Sequence, residues 1–176
     1  MTIVLYVISA FLLLFIVLVF IAPKQYKVNR SININKSLTE VFNYLKHIKN
    51  QDSWSPWKQK DPNMKQEFVG TDGKVGFIAK WDGNKDVGNG EQEIMKIVEN
   101  KSITTKLRFF KPWKSESDGV IKVEDLGDNQ TKVTWGFYGK NKVPANVFMM
   151  LYNVDKHVGK DFEEGLASLK EILESK

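Results

Sequence analysis

The chain has 176 residues, of which 26 are Lys or Arg, 21 are Asp or Glu and none is Cys. The first 23 residues carry no charge, so all charged side chains lie in the following 153 residues, about the length of one domain, and two globular domains are excluded. The lack of Cys excludes a disulfide scaffold, thiolate metal sites and cysteine nucleophiles, and the 42% hydrophobic content excludes a disordered chain.

Residues 3–22 form an apolar run that only Tyr6 and Ser9 interrupt. As a helix, this run would be about 30 Å long, which is the thickness of bilayer hydrocarbon. A cleaved signal peptide is the competing interpretation, but no Lys or Arg precedes the run, the run is too long and its end is a poor cleavage site. A buried core helix would normally show a polar face. We expect residues 1–23 to be a transmembrane anchor and residues 24–176 to form the folded domain.

Basic residues follow the apolar run directly. Lys24, Lys27 and Arg30 are the first of them, and the positive-inside rule then places the C-terminal domain in the cytoplasm. Residues 24–60 carry eight Lys or Arg against two acidic residues, whereas residues 61–176 carry 18 against 19. This excess suits anionic lipid headgroups, and an ordinary solvated surface is the alternative. No nucleic-acid-binding motif is present, so we expect no nucleic-acid partner.

A strand and a helix open the domain. Residues 26–34 are predicted to be a strand, because Val28, Ile32 and Ile34 share one face. Ser37 and Glu40 have the spacing of a capping box and predict the start of a helix. The apolar stripe of that helix is Leu38, Val41, Phe42, Leu45 and Ile48. Residues 50–56 are expected to break the helix.

Six further extended segments follow, separated by short turns rich in Gly, Asp and Asn. The predicted strands are residues 65–69, 75–81, 91–99, 102–110, 119–125 and 131–138. Short turns between consecutive strands predict an antiparallel meander. The predicted inward set is Val75, Phe77, Ala79 and Trp81, then Ile103, Thr105, Leu107 and Phe109, then Ile121 and Val123, then Val133, Trp135 and Phe137. The opposite face carries Lys and Arg, so the sheet has one solvent-exposed side.

The chain ends in a long predicted helix, from about Pro144 to Leu173, with apolar residues every three or four positions. The apolar face of the sheet is the only partner large enough for this stripe. The sequence therefore predicts an α+β fold in which a curved antiparallel sheet wraps around the C-terminal helix. Gly159 and Gly165 either bend the helix or allow it to approach the sheet closely.

This element order resembles the helix-grip fold of the START-like (SRPBCC) superfamily, and within it the polyketide cyclase/dehydrase and lipid-transport branch. The matching residues are 30–34, the capping box with Val41 and Phe42, the segment Trp54-Ser55-Pro56-Trp57, and residues 162–170. The resemblance covers about residues 25–174. It implies a deep cavity between the sheet and the last helix for an apolar small molecule such as a lipid, a sterol or a polyketide. It implies no single reaction, because enzymes, carriers and receptors share this scaffold.

Inward-facing side chains are the candidate ligand contacts. At the start of the last helix the apolar residues exceed what packing on a sheet requires, so a cavity mouth, the bilayer surface or a second protomer would cover them. Thr105 is polar on an apolar face and would hydrogen-bond a ligand headgroup, a backbone carbonyl or a water. The predicted ligand-cavity residues are Phe77, Trp81, Thr105, Leu107, Phe109, Trp135, Phe137, Phe148, Met149 and Tyr152.

The sequence offers little support for catalysis. His47 and His157 are isolated, and no metalloprotease, nucleophile-elbow or phosphate-loop motif is present. No inward strand residue is ionisable, although Asp155 or Tyr152 would supply such a group if it faced inward. We expect a membrane-anchored protein that binds or transports an apolar or amphipathic, lipid-like molecule without metal, cofactor or catalytic residue. A cyclase or dehydratase on the same scaffold and a protein-interaction module with a filled core are the alternatives; the oligomeric state stays open.

Overall fold

The computed structural model describes residues 2–112, 114–144, 146–151 and 153–175, and leaves out the side chains of Phe148, Met149 and Leu151. The helices are α1 Thr2–Ile21, α2 Leu38–Leu45, α3 Gln51–Trp54, α4 Pro56–Lys60, α5 Asn146–Leu151 and α6 Val154–Glu174, with a 3₁₀ turn at Ile48–Asn50. The strands are β1 Gln25–Ile34, β2 Lys65–Val69, β3 Ile78–Asp82, β4 Asn89–Val98, β5 Ser102–Lys111, β6 Ser115–Gly127 and β7 Gln130–Lys140.

The seven strands form one antiparallel sheet in the order β1-β7-β6-β5-β4-β3-β2. Consecutive strands from β2 to β7 are therefore neighbours, and β1 pairs with β7 at the other edge. This confirms the predicted meander and the α+β helix-grip architecture. Two turns follow the sequence signals closely, because Asn100, Asp128 and Asn129 adopt positive φ, a conformation that Asn and Asp tolerate better than other non-glycine residues.

The helix α6 packs along the inner face of the sheet. Its buried residues Leu166, Leu169 and Leu173 join the side chains of β1, β7 and α2 in one hydrophobic core. Gly165 permits the closest approach, because a Cβ atom there would lie 2.9 Å from Cζ3 of Trp135 and 3.0 Å from Cδ of Pro56. A larger residue would push the helix away from the sheet.

An ion-pair cluster ties β1 to the first half of α6. Arg30 lies on the inner face of β1 and donates from Nε to Glu163 Oε1 at 2.5 Å and from Nη1 to Asp155 Oδ1 at 2.9 Å. Gly159 leaves the space that the guanidinium occupies, and α6 continues through it without a break. Arg30, expected to lie near headgroups, is thus held by two carboxylates of its own domain, and the pKa of the guanidinium is raised by them.

Two local expectations are wrong. The last helix is interrupted between Leu151 and Val154, where Asn153 caps α6 by accepting a hydrogen bond from the Lys156 amide. Val75 is 61% exposed and precedes β3, so it does not belong to an inward row. Residues 50–56, expected to break the first helix, lie beyond its end at Leu45, and the segment 48–60 contains a 3₁₀ turn and two short helices that the sequence did not indicate.

The N-terminal helix α1 is long and apolar enough to span a membrane, judged by length and composition alone. None of its described residues is buried, so it is not a core helix of the domain. Its apolar side chains, such as Leu12 at 58% and Phe11 at 68% exposure, need a cover that the domain does not provide.

We expect Gly165→Leu to destabilise the domain by about 1–3 kcal/mol, because the added side chain overlaps Trp135 and Pro56. The midpoint of thermal unfolding, followed by circular dichroism in detergent, should fall by about 2–4 °C per kcal/mol. Ala167→Leu is the matched control, since Ala167 is exposed on the outer side of the same helix. An equal shift in both variants would contradict the close approach at Gly165.

The ion pair with Arg30 should lower the measured pKa of Asp155. Its hydrogen bond to Arg30 holds the pKa of this carboxyl below its ordinary value. A depressed folded-state pKa contributes stability that is present above the unfolded value of about 3.9 and is lost as the pH falls through the folded-state value. Arg30→Gln should return the pKa of Asp155 toward ordinary, as measured by carboxyl ¹³C shifts. Lys160→Gln, which removes an exposed pair on the same helix, should not change it.

Candidate ligand-binding cavity

A cavity of about 330 Å³ lies between the sheet and the first half of α6, with α3 and α4 at its side. Val158 and Phe162 of α6 line it, whereas the next turns of α6 pack into the core. The strand residues around it are Gln66, Ala79, Lys80, Trp81, Gln92, Ile103, Thr105, Leu107, Phe109, Gly119, Ile121, Trp135, Gly136 and Phe137. The meander thus brings side chains that are distant in sequence to one apolar wall.

Aromatic rings form the rigid part of this wall. Trp135 stacks on Phe162 with centroids 4.2 Å apart, and Trp57 meets Trp135 edge-on at 5.5 Å. On the far side, Trp81 meets Phe109 edge-on at 5.7 Å. Rings that are held by one another keep their positions at low entropic cost, so this wall is already formed before any ligand binds.

The segment Trp54-Ser55-Pro56-Trp57 builds one side of the cavity. Pro56 starts α4 in the first-turn position that proline favours. Trp54 is fully buried behind the wall, with its ring 4.8 Å from that of Trp135, while Trp57 lines the cavity itself. The two tryptophans therefore do different work, one as core and one as cavity wall.

Polar groups gather where α3 and α4 meet the edge of the sheet. Lys58 Nζ lies 3.3 Å from Gln66 Oε1, and Gln66 Nε2 donates to Asp52 Oδ1 at 2.8 Å. Gln51 also lines the cavity, and its buried Nε2 has no hydrogen-bond partner among the described residues. We call Gln51, Asp52, Lys58 and Gln66 the polar end of the cavity. The Gln51 amide and the Lys58 ammonium group can donate hydrogen bonds to an oxygen atom of a ligand.

Thr105 has a partner that the sequence did not indicate. Its Oγ1 lies 3.2 Å from Nε2 of Gln92, on the neighbouring strand β4. Gly119 faces it from β6, and a Cβ atom there would come within 2.6 Å of the same hydroxyl oxygen. The hydroxyl is therefore satisfied by a side-chain amide within the sheet, and both groups remain at the cavity surface.

The predicted cavity residues separate into three groups. Six of them line the cavity: Trp81, Thr105, Leu107, Phe109, Trp135 and Phe137. Phe77 does not, because it is 1% exposed in the core and its ring stacks on Phe68. The side chains of Phe148 and Met149, and the whole of Tyr152, lie outside the described residues.

The polar end is what sequence reasoning missed. Asp155, named as a possible inward group, is exposed and pairs with Arg30 instead. The ionisable groups that reach the cavity are Asp52, Lys58, Lys80 and Asp86. The signal that was available is the position of Asp52 and Lys58 on either side of the tryptophan segment.

Neither histidine lies at the cavity. His47 is 3.6 Å from Asp72 at the surface, and His157 contacts the backbone carbonyl of Asn153. Among the described ranges, no group of three or more His, Asp or Glu side chains is placed to hold a metal ion.

No protein-family model matches the sequence, and no curated protein matches it at a significant level. Solved structures do share its fold. Norcoclaurine synthase from Thalictrum flavum, in complex with dopamine and hydroxybenzaldehyde, has a TM-score of 0.60 at 12% identity, covering 86% of this chain and 88% of that one. A protein from Nitrosospira multiformis has a TM-score of 0.60 at 17% identity, covering 83% and 94%. The Aha1 dimer from Colwellia psychrerythraea has a TM-score of 0.53 at 19% identity, covering 83% and 94%.

At identities this low, the likeness shows the fold alone. In this chain the helix-grip fold encloses a cavity between the sheet and α6. What the cavity holds must be argued from its own walls.

Proposed function

We propose that this protein binds an amphipathic, lipid-like small molecule in the cavity between its sheet and α6, with α1 anchoring the domain in a membrane. One observation carries the proposal. The cavity is walled by fixed aromatic rings, and Gln51, Asp52, Lys58 and Gln66 form a polar end beside them. A ligand with an apolar body and one polar end group matches that division.

The apolar wall supports the larger part of the affinity. A volume of about 330 Å³ is within the range of small-molecule pockets, roughly 300–1,000 Å³. Burying about 200 Å² of apolar ligand surface contributes roughly 5 kcal/mol at about 25 cal/mol per Å². The rings of Trp135 and Phe162 are already stacked, so little ordering opposes binding.

The polar end favours a ligand that carries an oxygen acceptor. The Lys58 ammonium has long contacts to Gln66 Oε1 and to the Met64 carbonyl, at 3.3 and 3.5 Å. Gln51 offers a buried amide donor without a partner among the described residues. A hydroxyl, carbonyl or carboxylate oxygen at this end can accept a hydrogen bond from either donor, and the buried Gln51 amide is costly to leave unpaired.

The anchor fits the same ligand class. An apolar ligand has the bilayer as its reservoir, so tethering raises its effective concentration at the domain. Lys24 and Lys27 directly follow α1, and by the positive-inside rule the domain lies on the cytoplasmic side. Recovery of protein that lacks residues 1–23 would show a cleaved signal sequence and would leave only the cavity.

The structural neighbours add a limited argument. Norcoclaurine synthase is in complex with two small aromatic molecules, dopamine and hydroxybenzaldehyde. This supports a small-molecule role for the same scaffold but transfers no reaction to this chain.

Catalysis is the second candidate, because Asp52 and Lys58 line the same apolar cavity. An acid or base in such a place is the minimum that a cyclase or dehydratase requires. Incubating the protein with the compound extracted from it, followed by mass spectrometry, separates the two functions. An unchanged mass and chromatographic retention time support binding alone, and a change in either that the wild type causes but Lys58→Met does not supports catalysis.

A filled cavity should abolish ligand binding. We expect the full chain, purified from membranes and extracted with organic solvent, to yield a lipid-like compound that Leu107→Trp loses by more than about tenfold, since the indole occupies the cavity. Leu126→Trp is the control, because Leu126 is 46% exposed on β6 and is not among the cavity residues. Circular dichroism verifies that both variants fold. Equal compound in all three proteins would sink the proposal.

The polar end should select the end group of the ligand. Brominated undecanoate and brominated undecanol quench tryptophan, so both can be titrated against the cavity rings. We expect Lys58→Met to lower the affinity for the carboxylate by about tenfold, because a charged hydrogen bond contributes about 1.5–3 kcal/mol. The affinity for the alcohol should change much less. Lys122→Met, an exposed change on β6, serves as the control. An equal loss of affinity for both ligands would show that Lys58 does not distinguish the carboxylate from the hydroxyl group.

A further inference from the structure

The connection between α1 and the domain is short, and hydrogen bonds from the end of β7 hold it in place. Helix α1 ends at Ile21 and β1 begins at Gln25, so only three residues join them, and they can span about 10 Å at most. Asn141, just after β7, donates from Nδ2 to the Pro23 carbonyl and from its amide to the Lys24 carbonyl, both at 3.0 Å. The domain therefore cannot move far from the end of α1.

A second asparagine fixes α5 against the last turn of α1. Asn146, the first residue of α5, is 0% exposed. Its Nδ2 donates to the Val19 carbonyl at 2.9 Å and to the Ala22 carbonyl at 3.3 Å, and Ala22 is itself buried. These carbonyls lack helical partners at the end of α1, so Asn146 acts as a cap supplied from another element. Helix α5 consequently lies at the level where α1 ends.

Apolar side chains are exposed at that level. Val143, three residues before α5, is 57% exposed, and Met150 within α5 is 45% exposed. If α1 spans the hydrocarbon, its last turn lies at the headgroup boundary, and so does α5. An apolar segment at that depth is covered by acyl chains and headgroups.

Lysines surround the same end of the sheet. In the strand register, Lys140 lies opposite Gln25 and Lys111 lies opposite Asn89. The C-terminal ends of β7 and β5 therefore lie at the end of the sheet next to α1. The lysines at this end of the sheet include Lys24, Lys111, Lys114, Lys140 and Lys142. All five are exposed, and none forms a salt bridge with a described residue.

We propose that α5 with Val143 and these five lysines forms a docking surface for the anionic leaflet that α1 crosses. This inference rests on the membrane span included in the proposed function. The apolar part enters the interface while the ammonium groups meet anionic headgroups around it, the pairing that juxtamembrane basic segments make. Docking also fixes the start of α6, since Val154 follows α5 closely and lies one turn before Val158 at the cavity wall.

The absence of Cys permits a direct test on the full chain. Met150→Cys carries an environment-sensitive fluorophore, and the protein is reconstituted in nanodiscs of phosphatidylcholine with or without about 30 mol% phosphatidylserine. Doxyl-labelled lipid should quench this label in both kinds of disc, and more strongly in those that contain phosphatidylserine. A label at Leu126→Cys, near the opposite end of β6, should not be quenched.

Charge reversal then tests the lysines. Lys140→Glu with Lys142→Glu should reduce the quenching at position 150 to its level without phosphatidylserine. Lys101→Glu with Lys122→Glu makes the same charge change at the far end of the sheet and should leave the quenching unchanged. Quenching that depends on neither phosphatidylserine nor these lysines, in protein that resists carbonate extraction, overturns the docking surface and leaves the anchor and cavity intact. Release of the chain by carbonate overturns the membrane span, and the docking surface with it.

Discussion

The packing of α6 on the concave face of the sheet is the contact on which the rest of the structure depends. Its second half is closed, because Gly165 brings the helix against Trp135 and three leucines fill the space behind it. Its first half stands over the cavity, and its carboxylates Asp155 and Glu163 hold it to Arg30 of β1. One helix therefore closes the core at one end and leaves room for a ligand at the other. The stack of Trp135 on Phe162 lies at the boundary between the closed core and the cavity.

The cavity combines two kinds of wall that come from different parts of the chain. Strands supply most of its apolar wall, in rows fixed by the register of the sheet. The short helices between α2 and β2 supply Asp52, Lys58 and the buried amide donor of Gln51. The same segment holds Trp57 against Trp135, so the polar end cannot shift without disturbing the aromatic wall. This coupling makes an amphipathic ligand a better match than a purely apolar one.

Helix α1 and the cavity are connected through the segment from Lys140 to Val158. Asn141 and Asn146 hold the end of α1, and α6 begins a few residues later and reaches the cavity wall. A domain attached by three residues has little freedom of orientation. If α1 lies in a bilayer, the distance between the cavity and the lipid surface is thus set by the fold, which suits a ligand that partitions into lipid.

Local pattern in the sequence determined the strands, the meander, the capping box of Ser37 and Glu40, and the six inward residues that line the cavity. Each of these depends on the period of side chains within one element. The pattern failed at Val75, which is exposed because the strand begins later than alternation suggests, and at the break before Val154, because apolar steps of three and four continue across it. Phe77 is buried as alternation predicts, but it packs in the core and does not line the cavity. Only the tertiary structure decided that Lys58 faces the cavity, that Arg30 is paired with α6, and that Asn146 caps α1. Periodicity reports which side of an element is buried, whereas the partner of a polar side chain is set by contacts between elements that are far apart in the chain.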